Sequence, residues 1–408
     1  MQRNPEGLGI GERIAWYRRR RGISQEALAG LVGRTTDWLS KVENGRIGLD
    51  RLSVLRALAE ALGVRLDALL AEPTAHASSS KGLGDSVSRL RETLTDYQQI
   101  SAFLTVDEKG AAMDLCRLRA DVGDAWSAYQ HGRYGHAARL LSGTLTETQQ
   151  AVRLLEGDRR RRAKALLALS YQGAAMVLTK VGETGLAWMA ADRGLNAAQE
   201  SGDPMVLGSL SRSVSHCLLA NDRIASACDL VTASADFLEG GAADASPTRL
   251  SLYGTLLLVG AMAAARLEDR SAVDDFLAEA DRTAVRLGQD ANHMWTAFGP
   301  TNVAIHRVST SMELGDVQLA AAQGSHVNAS ALPLERRVRH ALEVARAYNA
   351  VNRSEEALSL LLDAEKLAPE QVRHHFIPRA LVTTWLRRRR GKPSHLLAGV
   401  AQRLGVVG

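Results

Sequence analysis

The sequence is poor in three residue types that bear on fold class. Only 3 of its 408 residues are cysteine and 9 are proline, and aromatic residues make up 4%. The cysteines, Cys116, Cys217 and Cys228, are odd in number and form no CxxC pair. This disfavours a disulfide framework and indicates a reduced compartment, with the cysteines serving as small buried hydrophobic residues. Scarce proline and aromatics beside abundant alanine and leucine favour helices packed through small residues over sheets.

The sequence also lacks a long hydrophobic run. Its first residues, MQRNPEGLGIGER, contain no apolar core of signal-peptide length. The longest apolar stretches, such as residues 256–265, are too short to span a bilayer. We therefore expect a soluble, cytoplasmic protein.

Catalytic and cofactor-binding motifs are missing as well. The sequence has no GxxxxGK(S/T), no GxGxxG after a strand, no HExxH and no cysteine–histidine cluster at zinc spacing. His374 and His375 are adjacent, so on a helix they point in different directions and make a poor metal pair. We expect no catalytic residue, no metal and no cofactor, and an enzyme tethered to DNA is the least favoured alternative.

What is present is a long chain with a basic N-terminal part. A chain of 408 residues exceeds one ordinary core, so several domains or a repeat array are expected. Residues 1–72 carry a net charge of +3 out of a total of +5. A positive excess concentrated at one end favours docking of a polyanion there.

The segment 24–45, SQEALAGLVGRTTDWLSKVENG, predicts two short helices joined by a tight turn. Ser24 and Thr35 are suitable N-caps for helices over 25–32 and 36–43. Gly33 supplies the turn, where the backbone needs an unusual conformation. This unit places a helix in the major groove of DNA.

Further helices are predicted around this pair. Residues 10–20 form a first helix that ends in a run of four arginines, 50–62 a fourth, and 67–70 a short fifth turn. In the second helix Ala27, Leu28 and Leu31 are expected to be buried. The Pro-, Ser- and Gly-rich segment 73–84 reads as a linker.

From residue 85 onward the sequence predicts one helix after another without strand-like alternation. Six short turns recur, and each is followed by a second helix with a small or apolar residue near its start. The turns begin at Gln130, Val181, Asn221, Leu267, Leu314 and Val351, and the small residues are Ala137, Ala187, Ala227, Val273, Ala320 and Ala357. A recurring theme of this kind indicates stacked helical hairpins with one long core and a concave surface.

Residues 10–72 resemble the DNA-binding domain of phage-repressor-like XRE transcription regulators. The resemblance rests on GISQEALAG, on Gly33 in the turn, on LSKVENG and on LRALAEALGVRLDALL. It implies a five-helix helix-turn-helix domain, an ion pair between Arg18 and Glu43, and base contacts from Thr36, Asp37 and Lys41. It also implies phosphate contact from Gln25.

The predicted DNA-contacting residues lie on the recognition helix and at its flanks. Trp38 has two open interpretations, contact with thymine methyls or sugar and packing against the neighbouring helix. The basic runs 159–162 and 387–390 are expected mainly to be solvated faces. The candidate set is Arg19, Arg20, Gln25, Thr35, Thr36, Asp37, Trp38, Ser40, Lys41, Asn44 and Arg46.

Residues 119–368 resemble tetratricopeptide-like hairpins, most clearly at ARAYNAVNRSEEALSLLLDAEKLAPE. There Ala345, Tyr348, Ala357, Ala364 and Pro369 stand where that motif has small, aromatic, small, small and proline residues. The combination resembles peptide-sensing quorum regulators and, including the WTAFGPTNVAIH segment, actinobacterial regulators of this layout. The implied fold is all-α: a helix-turn-helix domain (10–72), a linker (73–84), and a tetratricopeptide-like superhelix (85–408) that senses a ligand and dimerises.

The candidate ligand contacts lie on the inner helices of the hairpins. The most suggestive stripe runs through WTAFGPTNVAIH at helical spacing and mixes apolar surface with an amide and an imidazole. Inter-hairpin core is the alternative interpretation of the same stripe. The candidates are Tyr171, Arg212, His216, Tyr253, Trp295, Phe298, Asn302, His306 and Arg346.

These observations together predict a sequence-specific DNA-binding transcription regulator. Its DNA binding would be controlled by a peptide or small molecule in the C-terminal hairpins, and a homodimer would bind a palindromic operator. The alternative is a ligand-independent dimeric scaffold whose repeats recruit a partner protein.

Overall fold

The computed structural model describes residues 10–45, 47, 49, 52–64, 69, 81–95, 113–239, 246–388 and 392–406. Within these ranges the fold contains twenty α-helices and no strand, with one isolated bridge between Ala291 and Phe298. The all-α prediction is therefore confirmed.

Four helices form the N-terminal unit. Their bounds are α1 Ile10–Arg20, α2 Gln25–Leu31, α3 Thr36–Glu43 and α4 Leu52–Ala61. Ile14, Leu28, Leu39 and Leu58, one from each helix, have no exposed surface and meet in a common core. The predicted fifth turn, 67–70, lies outside the described residues except for Leu69, which is buried in the same core.

The predicted buried face of α2 is partly wrong. Leu28 and Ala29 are buried, whereas Ala27 is exposed and Leu31 is 66% exposed. The reason is that α2 is short and packs mainly on α3 and α4. Leu31 lies at its last residue, beyond the reach of those two helices.

The rest of the described chain forms helical hairpins. One helix, α5 Lys81–Thr95, precedes them, and three helices, α18 Pro369–His374, α19 Phe376–Arg388 and α20 His395–Arg403, follow them. The hairpins are α6 Leu115–Gln130 with α7 Tyr134–Leu154, α8 Gly157–Lys180 with α9 Thr184–Ser201, α10 Pro204–Ala220 with α11 Ile224–Glu239, α12 Pro247–Arg266 with α13 Arg270–Leu287, α14 Pro300–Leu314 with α15 Val317–Gly324, and α16 Leu334–Ala350 with α17 Ser354–Leu367.

All six predicted turns separate the two helices of a hairpin. The small residue predicted after each turn is buried, with at most 2% of its surface exposed. Small residues at these points let the paired helices approach closely, since no long side chain separates the backbones. The repeat pattern therefore identified the helix pairs correctly.

α5 begins inside the segment predicted as a linker. Its first residue is Lys81, so the last part of 73–84 is helical, and residues 73–80 lie outside the described residues. α5 packs on α7 and α9. Arg91 pairs with Glu183 at 2.7 Å, and Arg193 donates to the Leu94 carbonyl at 2.6 Å. α5 therefore covers the start of the hairpin stack.

The last hairpin returns to the first ones and closes the superhelix. Lys180 at the end of α8 pairs with Glu335 at the start of α16 at 2.6 Å. On α18, Glu370 accepts a hydrogen bond from the Gly135 amide at 2.9 Å. Gln371 donates to the Glu335 carbonyl at 2.8 Å. The first helices of the hairpins therefore enclose a common interior, here called the hollow, in which Lys180 and Glu335 meet.

One described helix, α12, is long and apolar enough to cross a membrane by length and composition alone. In the fold 83% of its most apolar stretch is buried inside the protein. It packs against α10, α11, α13 and α14. Its composition is accounted for by a central position in the hairpin stack.

Candidate DNA interface and candidate ligand site

The turn between α2 and α3 is built as the sequence predicts. The Ser24 hydroxyl accepts from the Ala27 amide at 3.0 Å, and the Thr35 hydroxyl accepts from the Trp38 amide at 3.2 Å. Each side chain satisfies an amide left unpaired at the start of its helix. Gly33 has a φ of +62°, a left-handed conformation that favours glycine.

A buried network fixes the angle between the three helices. Arg18 on α1 meets Glu43 on α3 through two hydrogen bonds of 2.5 and 2.9 Å. Gln25 on α2 donates to the same carboxylate at 2.7 Å. The bond to Glu43 raises the pKa of Arg18, and both charged residues are buried. The predicted Arg18–Glu43 pair is confirmed, and the network orients Gln25 at the start of α2.

The outer face of α3 presents polar side chains to solvent. Thr36, Asp37 and Lys41 are exposed, and Ser40 is partly buried beside them. Lys41 pairs with Asp37, one turn earlier, at 2.5 Å. An exposed pair of this kind contributes at most about 1 kcal/mol, so its partners are readily available to other groups.

Trp38 packs inward rather than standing free on this face. Its ring is partly buried against the N-terminal core, and the Arg34 guanidinium lies 5.7 Å from the ring centroid. Of the two interpretations left open by the sequence, packing against the neighbouring helices is the one this geometry supports.

The flanking candidates lie at both ends of the unit. Arg19 and Arg20 are exposed, with Arg20 over the Trp16 ring at 5.0 Å. Asn44 is exposed and donates to the Ser40 carbonyl at 2.8 Å, which places it at the end of α3. Arg46 lies outside the described residues.

Two loose ion pairs connect this unit to the superhelix. Arg56 on α4 lies 3.5 Å from Asp222, and Glu12 on α1 lies 3.6 Å from Arg387. These contacts use α1 and α4, and the outer face of α3 keeps its exposure while they are made. The outer face of α3 therefore stays exposed to solvent.

Four of the nine ligand candidates lie on α10 and α14. Arg212 is one turn before His216 on α10, and Asn302 is one turn before His306 on α14. His216 is partly buried and keeps some accessible surface. Arg212 and His306 both contribute to its electrostatic environment, which places the three side chains near one another.

Part of the hollow holds more basic than acidic side chains. Around the buried Tyr129 hydroxyl, one carboxylate, Glu335, faces three guanidinium groups. Those belong to Arg212, Arg336 and Arg339. Burial alone would raise the pKa of Glu335, but Lys180 and the nearby arginines lower it to about 2. The carboxylate is therefore ionised at any physiological pH.

The histidines of the hollow are neutral at physiological pH. Burial, reinforced by the charge on Arg336, lowers the pKa of His306 to about 3. Burial and the neighbouring Arg212 put the pKa of His216 well below its ordinary value. The His306 Nδ1 lies 2.8 Å from the Asn302 carbonyl, which makes Nδ1 the donor and leaves Nε2 as an acceptor. The positive charge of the hollow therefore comes from lysine and arginine.

Two of these side chains have buried polar atoms without a hydrogen-bond partner. They are Nε and Nη2 of Arg212, which is 2% exposed, and both amide atoms of Asn302, which has no exposed surface. Burial lowers the pKa of Arg212 to about 10, so the guanidinium keeps its charge at neutral pH. Buried polar groups are normally satisfied, and each exception calls for an explanation.

The other five candidates lie elsewhere or have other partners. The hydroxyl of Tyr171 accepts from Gln149 on α7 at 2.8 Å, and that of Tyr253 approaches Glu279 on α13 at 3.5 Å. Both tyrosines thus point towards the outer layer of second helices. Arg346 pairs with Glu313 at 2.9 Å.

The predicted helical stripe through Trp295 and Phe298 is wrong. α14 begins only at Pro300, because a proline is suited to the first helical turn and disfavours helix before it. Trp295 lies in the preceding 3-10 turn and stacks on Trp126 with ring centroids 4.9 Å apart. Phe298 is fully buried and packs on Gly254, where even a Cβ would clash. Phe298 is a core residue.

Several residues of the hollow were missed by the sequence analysis. Glu335, Arg336 and Arg339 are neighbours on α16, whereas Lys180 lies 155 residues before Glu335 and meets it only when the superhelix closes. The available signal was the segment LERRVRH at the start of α16, where charges interrupt a helix that is otherwise mostly buried.

A family model described as a helix-turn-helix domain matches residues 10–72. A search of curated proteins finds no match to the chain. Similar solved structures include a Rap protein complexed with competence and sporulation factor, with 12% identity and a TM-score of 0.47 over 92% of this chain and 90% of that one. PlcR of Bacillus thuringiensis, in complex with the peptide PapR7 and DNA, has 13% identity and a TM-score of 0.31 over 68% and 95%.

A third similar structure is BtubC (BKLC) from P. vanneervenii, with 13% identity and a TM-score of 0.39 over 68% of this chain and 95% of that one. At these TM-scores the likenesses say nothing specific about the ligand or partners of this chain. The family match and the geometry of α1–α4 agree at the N-terminus: residues 10–72 are a helix-turn-helix domain.

Proposed function

We propose that the protein is a sequence-specific DNA-binding transcription regulator whose DNA binding is controlled by a ligand in the C-terminal superhelix. The observation that carries the proposal is the exposed polar face of α3 in a helix-turn-helix domain joined to a superhelix with an unsatisfied polar hollow. Such a protein acts in the cytoplasm.

Base reading is assigned to Thr36, Asp37 and Lys41. All three are exposed on α3, whose N-terminal part enters the major groove in helix-turn-helix proteins. Lysine donates to guanine acceptors, and aspartate accepts from the cytosine amino group. Contacts with the phosphates or backbone, which set register and salt dependence, are assigned to Arg19, Arg20, Gln25, Thr35, Ser40, Asn44 and Arg46.

One domain of this size buries too little surface for tight specific binding, so we assign a homodimer on two half-sites of a palindromic operator. Residues 10–72 form the DNA-binding domain and 85–408 the sensing and dimerising domain. A ligand changes the spacing of the paired DNA-binding domains only to the extent that it prefers one of two states of the superhelix.

The test is selection of bound sequences from random duplex DNA by the full chain, followed by genome-wide mapping of its sites. The expected result is one enriched motif with two related half-sites, which the Thr36→Ala and Lys41→Ala variants relax at one or two base positions. Absence of an enriched motif from both experiments would refute the proposal.

A further inference from the structure

The charges of the hollow do not balance internally. Lys180 is paired with Glu335, and Arg339 with Glu343 at 3.2 Å. Among the described residues, neither Arg212 nor Arg336 forms a salt bridge. Glu335 and Glu343 are therefore paired with other cations, and neither forms a salt bridge with Arg212 or Arg336.

Arg212 differs from the other buried arginines in how it is satisfied. Arg18 has Glu43 and the Ile23 carbonyl, and Arg346 has Glu313 and Glu343. Arg212 is as buried as these, yet two of its guanidinium nitrogens have no partner. Leaving a buried charge unpaired costs several kcal/mol in proteins.

The groups beside Arg212 are suited to complete an anion site. His216 lies one turn further along α10 and shares its surroundings with His306, which lies one turn after Asn302 on α14. A neutral imidazole can donate one hydrogen bond, and the Asn302 amide has donors without a partner. A guanidinium presents two parallel N–H groups that match the two oxygens of a carboxylate or phosphate.

We propose that Arg212 is the receptor for an oxyanion, a carboxylate or phosphate group, on the ligand that enters the hollow. The inference rests on the proposed sensing function and specifies its ligand chemistry: the effector is acidic. Its anionic group supplies the counter-charge for Arg212, which forms no salt bridge with any described carboxylate of the protein. A neutral or cationic effector would leave the guanidinium unpaired and add to the existing positive charge.

Thermal unfolding of the full chain with defined probes tests the proposal. The probes are succinate, inorganic phosphate, pentaglycine with a free carboxyl terminus, pentaglycine amide and succinamide, each at matched ionic strength in potassium chloride. We expect at least one oxyanion to raise the Tm of the wild type while the two neutral amides do not. A rise in Tm with pentaglycine but not with its amide would identify the carboxyl terminus of a peptide as the oxyanion. A rise in Tm with succinate or phosphate would identify a small free anion.

Two variants separate ligand recognition from structure. Arg212→Gln removes the charge and keeps hydrogen-bonding atoms, and we expect it to weaken oxyanion binding at least tenfold. Arg212→Met replaces the guanidinium by an apolar side chain of similar length, and we expect the Tm of its ligand-free form to equal or exceed that of the wild type. Arg286→Gln, an exposed arginine on α13, is the charge-matched control and should bind as the wild type does.

The proposal is overturned if no oxyanion raises the Tm above the chloride control, or if Arg212→Gln responds as strongly as the wild type. A large loss of Tm in the ligand-free Arg212→Met variant would also overturn it, because it would show a structural role. DNA selection with the same samples keeps the two proposals apart. If the protein selects a DNA motif but binds no oxyanion, only the proposal of an acidic ligand is refuted. If it binds an oxyanion but selects no DNA motif, only the proposed regulatory function is refuted.

Discussion

The helix-turn-helix domain and the superhelix differ in whether their buried polar groups have hydrogen-bond partners. In the helix-turn-helix domain, Arg18, Glu43 and Gln25 satisfy one another in a closed network, and the candidate functional residues lie outside on α3. In the superhelix the polar groups lie inside, and Arg212 and Asn302 keep atoms without a partner. The difference supports the proposal that the superhelix, unlike the helix-turn-helix domain, has polar groups that a ligand satisfies.

Removal of Glu43 gives the largest expected effect. Glu43→Ala leaves the buried Arg18 guanidinium without a counter-charge and frees Gln25, so we expect the helix-turn-helix domain to lose about 3–5 kcal/mol of stability. Hydrogen exchange of the α1–α3 amides in the full chain measures this loss. Glu26→Ala, an exposed acidic residue on α2, is the control. Equal protection in the two variants would show that the network does not hold the domain together.

Acid pH should weaken the superhelix next most strongly. The folded-state pKa of His306 is about 3 against about 6.5 unfolded, so the unfolded state binds the proton first. The contribution of His306 to the free energy of unfolding is therefore complete above pH 6.5. It is lost as the pH falls, at up to about 1.4 kcal/mol per pH unit. Between about pH 6.5 and 5, His306 therefore accounts for a loss of about 2 kcal/mol.

Urea unfolding across this range measures the pH dependence. His306→Gln should reduce the slope of the unfolding free energy against pH by up to one proton, and His136→Gln, at an exposed position on α7, is the control. The other buried histidines, including His216, contribute in the same direction. A slope that His306→Gln does not alter would mean that the imidazole is not held neutral in the hollow.

Lys41→Ala tests the outer face of the first domain, with a smaller expected effect. Loss of one base contact should weaken binding to the selected operator by about 1–2 kcal/mol and leave non-specific binding nearly unchanged. Fluorescence anisotropy at two salt concentrations measures both. Lys366→Ala is the matched control, because Lys366 is also exposed and paired with an aspartate on its own helix. Equal operator affinities of wild type and Lys41→Ala would remove Lys41 from the base-reading set.

The smallest effect concerns the loop that joins α13 to α14. Trp295→Leu keeps an apolar side chain but loses the stack on Trp126, which is worth about 0.5–1.5 kcal/mol beyond buried area. We expect faster hydrogen exchange in residues 289–299 with little change in α14. Unchanged exchange in the loop would show that the stack does not anchor it.

The helix-turn-helix domain was predictable because its signals are local. The caps Ser24 and Thr35, the turn at Gly33 and the apolar spacing of α1–α4 each act within a few residues. The six hairpin turns were predictable for the same reason. The errors there, Ala27 and Leu31, concern which neighbours cover a short helix, and that depends on packing.

The candidate ligand site was only half predictable. Arg212, His216, Asn302 and His306 could be selected as polar side chains on the inner helices, but nothing local indicates that Lys180 meets Glu335 across 155 residues. The helical spacing from Trp295 to Asn302 was misleading, since Pro300 starts a new helix after an irregular turn. The outward direction of Tyr171 and Tyr253 likewise depends on which second helix packs beside each.

The sequence by itself determined the helix-turn-helix unit, the hairpin pairs and the residue types offered to DNA, because helix caps, turns and amphipathic spacing are short-range properties. Only the tertiary structure decided that the hairpins close on themselves and that the enclosed surface carries unpaired positive charge. Closure is set by contacts between helices remote in sequence. Charge balance is a property of the enclosed space, which exists only once those contacts have formed.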